Sequence, residues 1–158
     1  ACMSMAAQKT ESMIEVSAVL PADVPLVWNY IVKYLDKSCR RSGGRHTVET
    51  IYRQLVDQEC GLWIAYDKND NEIKGCFVTN FALYPTGLKM LNILQLAGKN
   101  MEDWVEISRP ILTRWAKQTG CHGMEATGRK GFEHWSSKKD KSWKSNHVHF
   151  EIRFEENK

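Results

Sequence analysis

The stretch Lys89–Gly120, KMLNILQLAGKNMEDWVEISRPILTRWAKQTG, joins a strand pattern to a helix pattern through a short turn. The apolar run Met90–Leu96 has the length and composition of a buried strand. From Met101 to about Thr119, apolar residues recur every three or four positions, which predicts a helix with one apolar face. The members of this face are Trp104, Ile107, Ile111, Leu112 and Trp115. Asn100 is a candidate N-cap and Gly120 a candidate left-handed C′ residue. A strand, a glycine turn and a helix start leave free N–H groups, so the stretch predicts either a phosphate site or an ordinary strand-to-helix connection.

Composition is typical of a globular chain with one domain. The 158 residues are enough for a hydrophobic core, and the shares of apolar (42%) and charged (26%) residues are ordinary. Residues 1–12 are small and polar and show no periodicity. This predicts either a disordered tail or residues added for expression, placed before Met13. We therefore expect a single domain over residues 13–158.

Hydropathy and cysteine usage restrict the environment. No apolar run approaches the roughly 20 residues of a membrane-spanning helix, so we expect no membrane partner. The five cysteines are odd in number and scattered without a CxxC pair, which argues against a structural zinc site. This usage is typical of a reducing compartment and predicts an intracellular protein.

The positive charge is concentrated in one segment. Arg129–Lys144 holds six Lys/Arg and two Asp/Glu, so it carries +4 in a chain whose net charge is +3. Three aromatic residues lie among these cations, a pattern that can bind single-stranded nucleic acid by stacking and phosphate contacts. A solvated loop beside packed tryptophans is the favoured interpretation.

Six strand patterns and four helix patterns alternate along the chain. The strands are predicted at Ile14–Leu20, Leu62–Asp67, Glu72–Tyr84, Met90–Leu96, Cys121–Thr127 and His147–Phe154. The helices are predicted from Pro25, from Thr47 and from Met101, and a short helix or turn is predicted over Gly128–Ser137. Tight turns join the middle strands, so these are antiparallel, whereas the strand–helix–strand unit over residues 89–127 needs a parallel crossover. The sequence thus predicts a mixed α/β (α+β) fold, a mostly antiparallel sheet with one parallel crossover and flanking helices. In the last strand, Phe150 lies on the apolar face and we expect it to be buried.

This order of elements resembles the GNAT superfamily of N-acetyltransferases from Met13 to Phe154. Gln95-Leu96-Ala97-Gly98-Lys99-Asn100 stands where the family has its Gln/Arg-x-x-Gly-x-Gly/Ala pyrophosphate loop, and Thr127-Gly128-Arg129-Lys130-Gly131-Phe132 opens the last helix. The combination is similar to GNAT-like proteins of tailed phages, which implies a protein of the host-cell cytoplasm or of the virion. Asn100 departs from the loop pattern. Phe132-Glu133-His134-Trp135 lacks the Tyr that is often the general acid in the family.

The resemblance implies acetyl-CoA as cofactor and a set of site residues. The N–H groups of Leu94, Gln95 and Leu96 would polarise the acyl carbonyl. Glu125 would take the proton of the amine, and His134 would replace the missing Tyr as proton donor to the thiolate. The implied coenzyme A-binding residues are Leu94, Gln95, Leu96, Ala97, Gly98, Lys99 and Asn100, with Arg129 and Lys130 for the 3′-phosphate. An exposed strand position is the alternative for Glu125.

Two further patterns are interpreted as structural, and no metal site is predicted. His147 and His149 share a strand face, but no third metal ligand accompanies them. Adjacent strand residues point to opposite faces, so Cys121 and His122 do not form a nucleophile pair.

Two functions remain open from the sequence. The first is an acetyl-CoA-dependent N-acetyltransferase that acts on an unidentified amine. The second is a catalytically inactive GNAT-fold protein that serves as a phage structural or protein-interaction module. The retained Gln95 and Gly98 favour the first function, and the altered loop and missing Tyr favour the second.

Overall fold

Five strands form one sheet in which the spatial order equals the chain order. The computed structural model describes residues 13–128 and 143–154. The strands are β1 (Ile14–Val19), β2 (Gly61–Asp67), β3 (Glu72–Leu83), β4 (Lys89–Gly98) and β5 (Gly123–Ala126). The first three pairings are antiparallel, and β4 pairs with β5 in parallel. The predicted mixed sheet with one parallel crossover is confirmed.

In the part of the chain that the structure describes, three α-helices flank the sheet: α1 (Val24–Arg40), α2 (Val48–Val56) and α3 (Val105–Gln118). Short 3-10 turns at Pro21–Asp23 and Met101–Asp103 precede α1 and α3. Among the helices that the structure describes, none is long and apolar enough to cross a membrane.

Local sequence signals set several ends of these helices. Pro25 lies in the first turn of α1, where its missing N–H removes no intrahelical hydrogen bond. Before α2, the Thr47 hydroxyl accepts from the Thr50 N–H at 3.2 Å, and the Thr50 hydroxyl accepts from the Thr47 N–H at 2.9 Å. Gly120 follows α3 with φ +78°, as a left-handed C′ residue does. The predictions for Pro25, Thr47 and Gly120 are confirmed.

The face of the sheet that carries α1 and α2 has its own apolar core. Ile31 and Leu35 of α1 and Ile51 and Leu55 of α2 are at most 1% exposed. They pack in one cluster with Val78 of β3. Helical spacing in α1 and α2 therefore presents large aliphatic side chains to the sheet, as their amphipathic patterns predict.

Trp104, immediately before α3, is the centre of the core on the other face. It is fully buried, and its ring meets Phe77 of β3 edge-on with the centroids 5.2 Å apart. Its indole N–H donates to the carbonyl of Lys99 at 2.8 Å. A Cβ on Gly75 would lie 2.3 Å, and one on Gly98 2.7 Å, from Cζ2 of the ring. The close approach of the indole therefore requires glycine at both positions.

The start of α3 differs from the prediction. Asn100 adopts a left-handed conformation (φ 51°, ψ 44°), and its side chain caps no N–H group. The prediction that Asn100 is the N-cap of a helix starting at Met101 is wrong, because the α-helix begins one turn later, at Val105. The physical reason is a tertiary contact of Trp104. The hydrogen bond from Trp104 to the Lys99 carbonyl closes the intervening turn over the sheet.

The buried side of α3 is rotated relative to the predicted face. Trp104, Ser108, Leu112 and Ala116 are all at most 4% exposed and recur at four-residue spacing. Trp115, which the apolar pattern placed in the core, is 39% exposed. Small side chains at Ser108 and Ala116 allow the helix to lie close to the sheet, so they occupy positions that a pattern of large apolar residues does not reveal.

Contacts between residues divide the chain into two compact units, with the boundary after Ala126. The described residues of the second unit, 127–128 and 143–154, form no helix or strand. The predicted strand over His147–Phe154 is therefore wrong, and Phe150 is 86% exposed rather than buried. Alternation decides which side chains share a face, but a stable strand also needs neighbours with which its backbone can pair. The predicted helix over Gly128–Ser137 lies, after its first residue, outside the described residues.

Replacing Gly75 with Ala tests the fit of Trp104 against the sheet. The new Cβ would lie 2.3 Å from the indole and 2.6 Å from the Ala97 carbonyl oxygen, so backbone or ring must shift. We expect Gly75→Ala to lower the free energy of unfolding, measured in urea, by about 2 kcal/mol or more. Gly61→Ala is the matched control, because its Cβ would meet no atom closer than 3.4 Å. Equal stability of the two variants would contradict the described position of Trp104.

Candidate functional site

Strand β4 contains a bulge at Leu94. Val78 of β3 lies opposite Gln95. The next residue of β3, Thr79, lies opposite Ile93, so Leu94 has no partner in β3. Such an extra residue bends the strand and interrupts its regular pairing. The bulge therefore changes the direction in which the second half of β4 presents its backbone.

Strand β5, and with it the pairing to β4, ends at this bulge. Pairing of the two strands runs from Met90 with Gly123 to Ile93 with Ala126, whereas β4 continues beside β3 as far as Gly98. Beyond Ile93, no strand among residues 13–128 and 143–154 pairs with this edge of β4. Backbone N–H and C=O groups point alternately to the two sides of a strand, so about half of those in residues 94–98 face the open side. An extended molecule that carries amide groups can pair with such an edge.

The side chain of Gln95 is buried and forms a hydrogen bond within the protein. It is 6% exposed, and its Oε1 accepts a hydrogen bond from the hydroxyl of Ser38 in α1. Leu94 packs with the α1–α2 core, and Leu96 packs with the core around Trp104. The three residues predicted to contact the acyl group therefore offer their backbones to the open edge, while their side chains hold the sheet to its helices.

Backbone hydrogen bonds hold the turn after β4. The Lys99 N–H donates to the Lys74 carbonyl at 2.8 Å, and the Lys99 carbonyl accepts from Trp104. Gly98 has φ +153°, and a Cβ there would lie 2.5 Å from the Lys74 carbonyl oxygen and 2.6 Å from Cα of Gly75. The Lys99 N–H is thus already donated within the protein. A side chain at Gly98 would strike backbone atoms whether or not a phosphate is bound.

Charged side chains surround the same turn. Lys99 Nζ lies 3.1 Å and Lys74 Nζ 3.0 Å from Oε2 of Glu72. Hydrogen bonds from Lys74, and then from Lys99, lower the pKa of Glu72. Glu102 and Asp103 add two carboxylates in the 3-10 turn that follows. The lysines are therefore paired with a carboxylate, and the acidic side chains that suit a helix start would repel a bound anion.

Glu125 of β5 is half-buried and lies one residue before the end of that strand. It lies opposite Asn92, two residues before the bulge, so strand geometry puts its Cα roughly 8 Å from that of Leu94. Oη of Tyr84, which follows β3, donates to Oε1 of Glu125 at 2.6 Å. This hydrogen bond to the carboxylate raises the pKa of Tyr84.

Glu125 belongs to a polar row that crosses three strands. Asn92 of β4 lies between Glu125 of β5 and Asn80 of β3 in the register. Asn92 Nδ2 donates to Asn80 Oδ1 at 2.9 Å, and all three residues are half-buried. Leu91 and Ile93, on either side of Asn92, pack with the core around Trp104. The polar row, defined as Asn80, Asn92 and Glu125, therefore lies on the opposite face of the sheet, the one that carries α1 and α2.

Three residues of the predicted site are not among those that the structure describes. Arg129, Lys130 and His134 fall outside the described residues. His122 lies at the end of the crossover, immediately before β5, where its Nδ1 accepts from the Lys89 N–H at 3.1 Å and its own N–H donates to the Lys89 carbonyl at 2.7 Å. These bonds give His122 a structural role at the β4–β5 junction, in agreement with its interpretation from the sequence.

Thiols and histidines elsewhere add no second reactive cluster to the part of the chain that the structure describes. Burial raises the pKa of the Cys60 thiol to about 11 and that of Cys76 to about 12, which keeps both protonated at neutral pH. His147 and His149 are exposed in the segment 143–154. No group of three or more His, Cys, Asp or Glu in the described residues could hold a metal ion.

Solved structures of GNAT acetyltransferases have this fold. An aminoglycoside acetyltransferase from an uncultured soil metagenomic sample, solved in complex with sisomicin, has a TM-score of 0.67 at 10% identity, over 90% of this chain and 97% of that chain. A ribosomal-protein-alanine N-acetyltransferase from Brucella melitensis biovar Abortus 2308 has a TM-score of 0.62 at 12% identity, over 89% and 99%. A GNAT family acetyltransferase from Staphylococcus aureus subsp. aureus USA300_TCH1516 has a TM-score of 0.62 at 12% identity, over 90% and 99%.

The chain therefore has the GNAT fold, and the predicted resemblance is confirmed at the level of fold. No protein-family model matches the sequence, and no curated protein does. The likeness to proteins of tailed phages stays a prediction.

Sequence reasoning missed Tyr84 and the two asparagines of the polar row. Tyr84 and Glu125 are 41 residues apart, and their contact depends on the register of three strands. A signal did exist for the asparagines, since Asn92 interrupts the apolar run Met90–Leu96 and Asn80 follows the buried run of β3. A half-buried amide in a strand that is otherwise apolar needs a polar partner.

Replacing Glu125 with Gln tests its contact with Tyr84. A neutral amide stabilises the tyrosine hydroxyl less than a carboxylate does, so we expect Glu125→Gln to lower the pKa of Tyr84 toward the ordinary value of about 10. NMR of Cζ-labelled tyrosine measures this directly. The pKa of Tyr84 is raised in the folded chain, so the hydrogen bond to Glu125 stabilises the fold below about pH 10. This contribution to stability is lost as the pH rises through the raised pKa of Tyr84. An unchanged titration of Tyr84 would mean that the two side chains are apart in solution.

Proposed function

We propose that the chain is an acetyl-CoA-dependent N-acetyltransferase that acts on a primary amine. The observation that carries the proposal is the coincidence of the bulge at Leu94 with the end of β5 beside it. Together they leave an open strand edge whose N–H groups can bind the oxygen of an acyl group. The GNAT acetyltransferases with the same fold, one of them solved with the amine sisomicin, support this choice of reaction class.

The open edge of β4 fits the chemistry of the acyl donor. Acetyl-CoA supplies a thioester carbonyl and an arm that contains amide groups. Alternate backbone groups from Leu94 to Gly98 would pair with those amides as they would with an added strand. An N–H at the bulge, from Leu94 or Gln95, would donate to the acyl oxygen and stabilise the negative charge that develops when the amine attacks.

Proton transfer is proposed for two residues. Glu125, roughly 8 Å from the bulge by strand geometry, would take the amine proton directly or through one water. Tyr84 binds one of its carboxylate oxygens and leaves the other available to the acceptor. His134 is proposed as the donor that protonates the departing thiolate, in place of the family's Tyr.

The turn after β4 is proposed to contact the pyrophosphate, with fewer donors than the sequence suggested. Gly98 brings the backbone close and Asn100 offers its N–H, but the Lys99 N–H is used by Lys74. Glu102 and Asp103 oppose an anion near this turn. The proposal therefore assigns a larger share of phosphate binding to Arg129 and Lys130, which would hold the 3′-phosphate.

A GNAT-fold interaction module without catalysis is the second candidate. The hydrogen bonds of the turn after β4 favour it, because the N–H and the ammonium group of Lys99 both already bind acceptors within the protein. A site prepared for an anion normally keeps such donors available. In this case a protein partner, of a phage particle or of the host cell, replaces the amine substrate.

Calorimetry with two ligands separates the candidates. We expect acetyl-CoA and its 3′-dephospho analogue both to bind the wild-type chain. The double variant Arg129→Ala/Lys130→Ala should bind acetyl-CoA about tenfold more weakly, because two charged contacts to the 3′-phosphate are lost, and should bind the dephospho analogue unchanged.

Lys138→Ala/Lys139→Ala is the matched control, since it removes the same charge from the same segment and should bind both ligands like the wild type. Absence of any binding at millimolar acetyl-CoA would reject the acetyltransferase and leave the interaction module. If Arg129→Ala/Lys130→Ala weakened the binding of both ligands equally, the assignment of Arg129 and Lys130 to the 3′-phosphate would be wrong.

A further inference from the structure

We propose that the chain forms a two-fold dimer through the edge of β3, in which Phe81 and Leu83 of one copy pair with Leu83 and Phe81 of the other. The inference goes beyond the proposed reaction and does not depend on it. It concerns the last residues of β3, Asn80–Leu83, where the sheet has an open edge apart from that of β4.

Strand β3 extends past the end of its neighbour β2. Pairing of these two strands ends where Gly61, the first residue of β2, lies opposite Thr79, whereas β3 continues beside β4 as far as Leu83. Beyond Thr79, no strand among residues 13–128 and 143–154 pairs with this side of β3. Thr79 is buried but Phe81 is 45% exposed, so burial falls where β2 is missing. The end of β3 is therefore an open edge of the sheet.

The hydrogen bonds of the β3–β4 turn show which backbone groups face this edge. The N–H of Tyr84 donates to the carbonyl of Leu88 at 2.9 Å, so the backbone of Tyr84 is directed to β4. In an antiparallel pair the backbone groups of alternate residues point to opposite sides. The groups of Ala82 therefore also point to β4, and those of Phe81 and Leu83 point out from the open edge.

The backbone of Lys89 leads independently to the same direction. Lys89 lies opposite Leu83 in the register of β3 and β4. Its N–H and its carbonyl are both bonded to His122, on the side of β5. Lys89 and Leu83 are thus a pair that exchanges no hydrogen bonds, and the groups of Leu83 point away from β4.

One register allows this edge to pair with a second copy through all of its outward groups. With Phe81 opposite Leu83 of the second copy, and Leu83 opposite its Phe81, each pair exchanges two hydrogen bonds. Both N–H groups and both carbonyls are then satisfied on both copies. A shift by two residues one way would bring in Thr79, which is already paired with Gly61. A shift the other way would bring in Pro85, which has no N–H.

The side chains fit the same register. Phe81 and Leu83 share one face of β3, so each would pack against the other's counterpart in the second copy. Ala82 would meet Ala82 of the second copy on the two-fold axis. This pair exchanges no hydrogen bonds, so its Cα atoms approach to about 4.5 Å, where small side chains fit. Asn80 would face Tyr84 of the second copy, and the segment Asn80–Tyr84 is nearly symmetrical in size and polarity about Ala82.

The sequence leaves this edge unprotected against such pairing. Free edges of natural sheets usually carry a lysine, a proline or another device that prevents pairing with a second chain. From Gly75 to Leu83, β3 contains no charged residue and no proline. Because two-fold pairing occupies the edge on both copies, assembly would stop at the dimer. The edge therefore suits a second copy of this chain as its partner.

The exposed apolar surface is sufficient for a weak dimer. Four apolar side chains at this end of the β3–β4 hairpin are 41–72% exposed, namely Phe81, Leu83, Tyr84 and Leu88. Their exposed parts amount to roughly 350 Å² per copy, since a large apolar side chain presents about 200 Å² in all. Two copies would thus bury less than the roughly 1,200 Å² of a stable complex. We expect a Kd of about 10–100 μM.

Sedimentation velocity of the full chain at increasing concentration, up to about 500 μM, measures this dimer. Leu83→Lys places a charge in both pairs of the interface and should raise the Kd for dimerisation at least about tenfold. Leu26→Lys is the matched control, because Leu26 of α1 is also 72% exposed and the same atoms are exchanged. It should dimerise like the wild type.

Ala82→Cys tests the register. Two Cα atoms about 4.5 Å apart are within the range of a disulfide, so this variant should form a covalent dimer with oxidised glutathione. We expect its cross-linking to be at least about tenfold faster than that of Leu26→Cys, which has no partner position near a two-fold axis. Reduction should restore the reversible dimer.

Four results would overturn the inference. They are a wild-type chain that stays monomeric at about 500 μM, a dimer that Leu83→Lys leaves intact, equal weakening by Leu26→Lys, and no faster cross-linking of Ala82→Cys than of Leu26→Cys. If the wild type stayed monomeric but an unrelated extended peptide slowed amide exchange at Phe81 and Leu83, the partner of this edge would be another protein. No measurement uses acetyl-CoA, so failure of the proposed acetyl transfer would leave the dimer to be decided separately.

Discussion

The packing of Trp104 over two glycines of the sheet is the contact on which the rest of the structure depends. Its indole fills the space above Gly75 and Gly98 and binds the Lys99 carbonyl, so β3, β4 and α3 are held at one point. The same contact fixes the turn between β4 and α3 and delays the helix to Val105. The indole packs where β3 and β4 still pair, at Gly75 and Gly98, beyond the last residue of β5. A single buried side chain thus determines where the candidate site can be.

The bulge at Leu94 turns this framework into a site. The bulge interrupts the regular pairing of β4 at the point where β5 ends, and beyond Ile93 no strand of the described residues pairs with this edge. Because of the extra residue, the side chains of Leu94 and Gln95 both lie on the α1 side of the sheet. Leu94 packs with the apolar core there, and Gln95 accepts a hydrogen bond from Ser38. The side chains anchor the bulge, and the backbone beside it is left for another molecule. Tyr84 and the polar row then give the neighbouring face its chemistry, with one carboxylate and two amides on three adjacent strands.

The sequence predicts structural features that depend on neighbouring residues, such as helix ends. It does not predict features that depend on how the strands align with one another. Thr47 and Gly120 act within one helical turn, so the residues themselves identify the ends of α2 and α3. Asn100 has the same local signal as a cap, but the contact of Trp104 with the sheet overrides it. The bulge depends on how β4 aligns with β3, and Tyr84 meets Glu125 across 41 residues, which a single sequence does not encode in any short pattern. The segment 147–154 has a strand's alternation without forming a strand, because alternation describes side chains and pairing involves the backbone.

Hydrogen exchange at the edge of β4, followed by NMR, tests the central claim that this edge is open and takes up the acyl donor. Without ligand, at least one amide among Leu94, Gln95 and Leu96 faces the open side and should exchange much faster than the amides of Cys76 and Val78, which lie inside the sheet. Saturating acetyl-CoA should slow that fast amide by about tenfold or more, because its N–H becomes hydrogen-bonded, and should leave Cys76 and Val78 unchanged. Exchange at Leu94–Leu96 that is already slow without ligand, or that acetyl-CoA does not alter, would contradict the account.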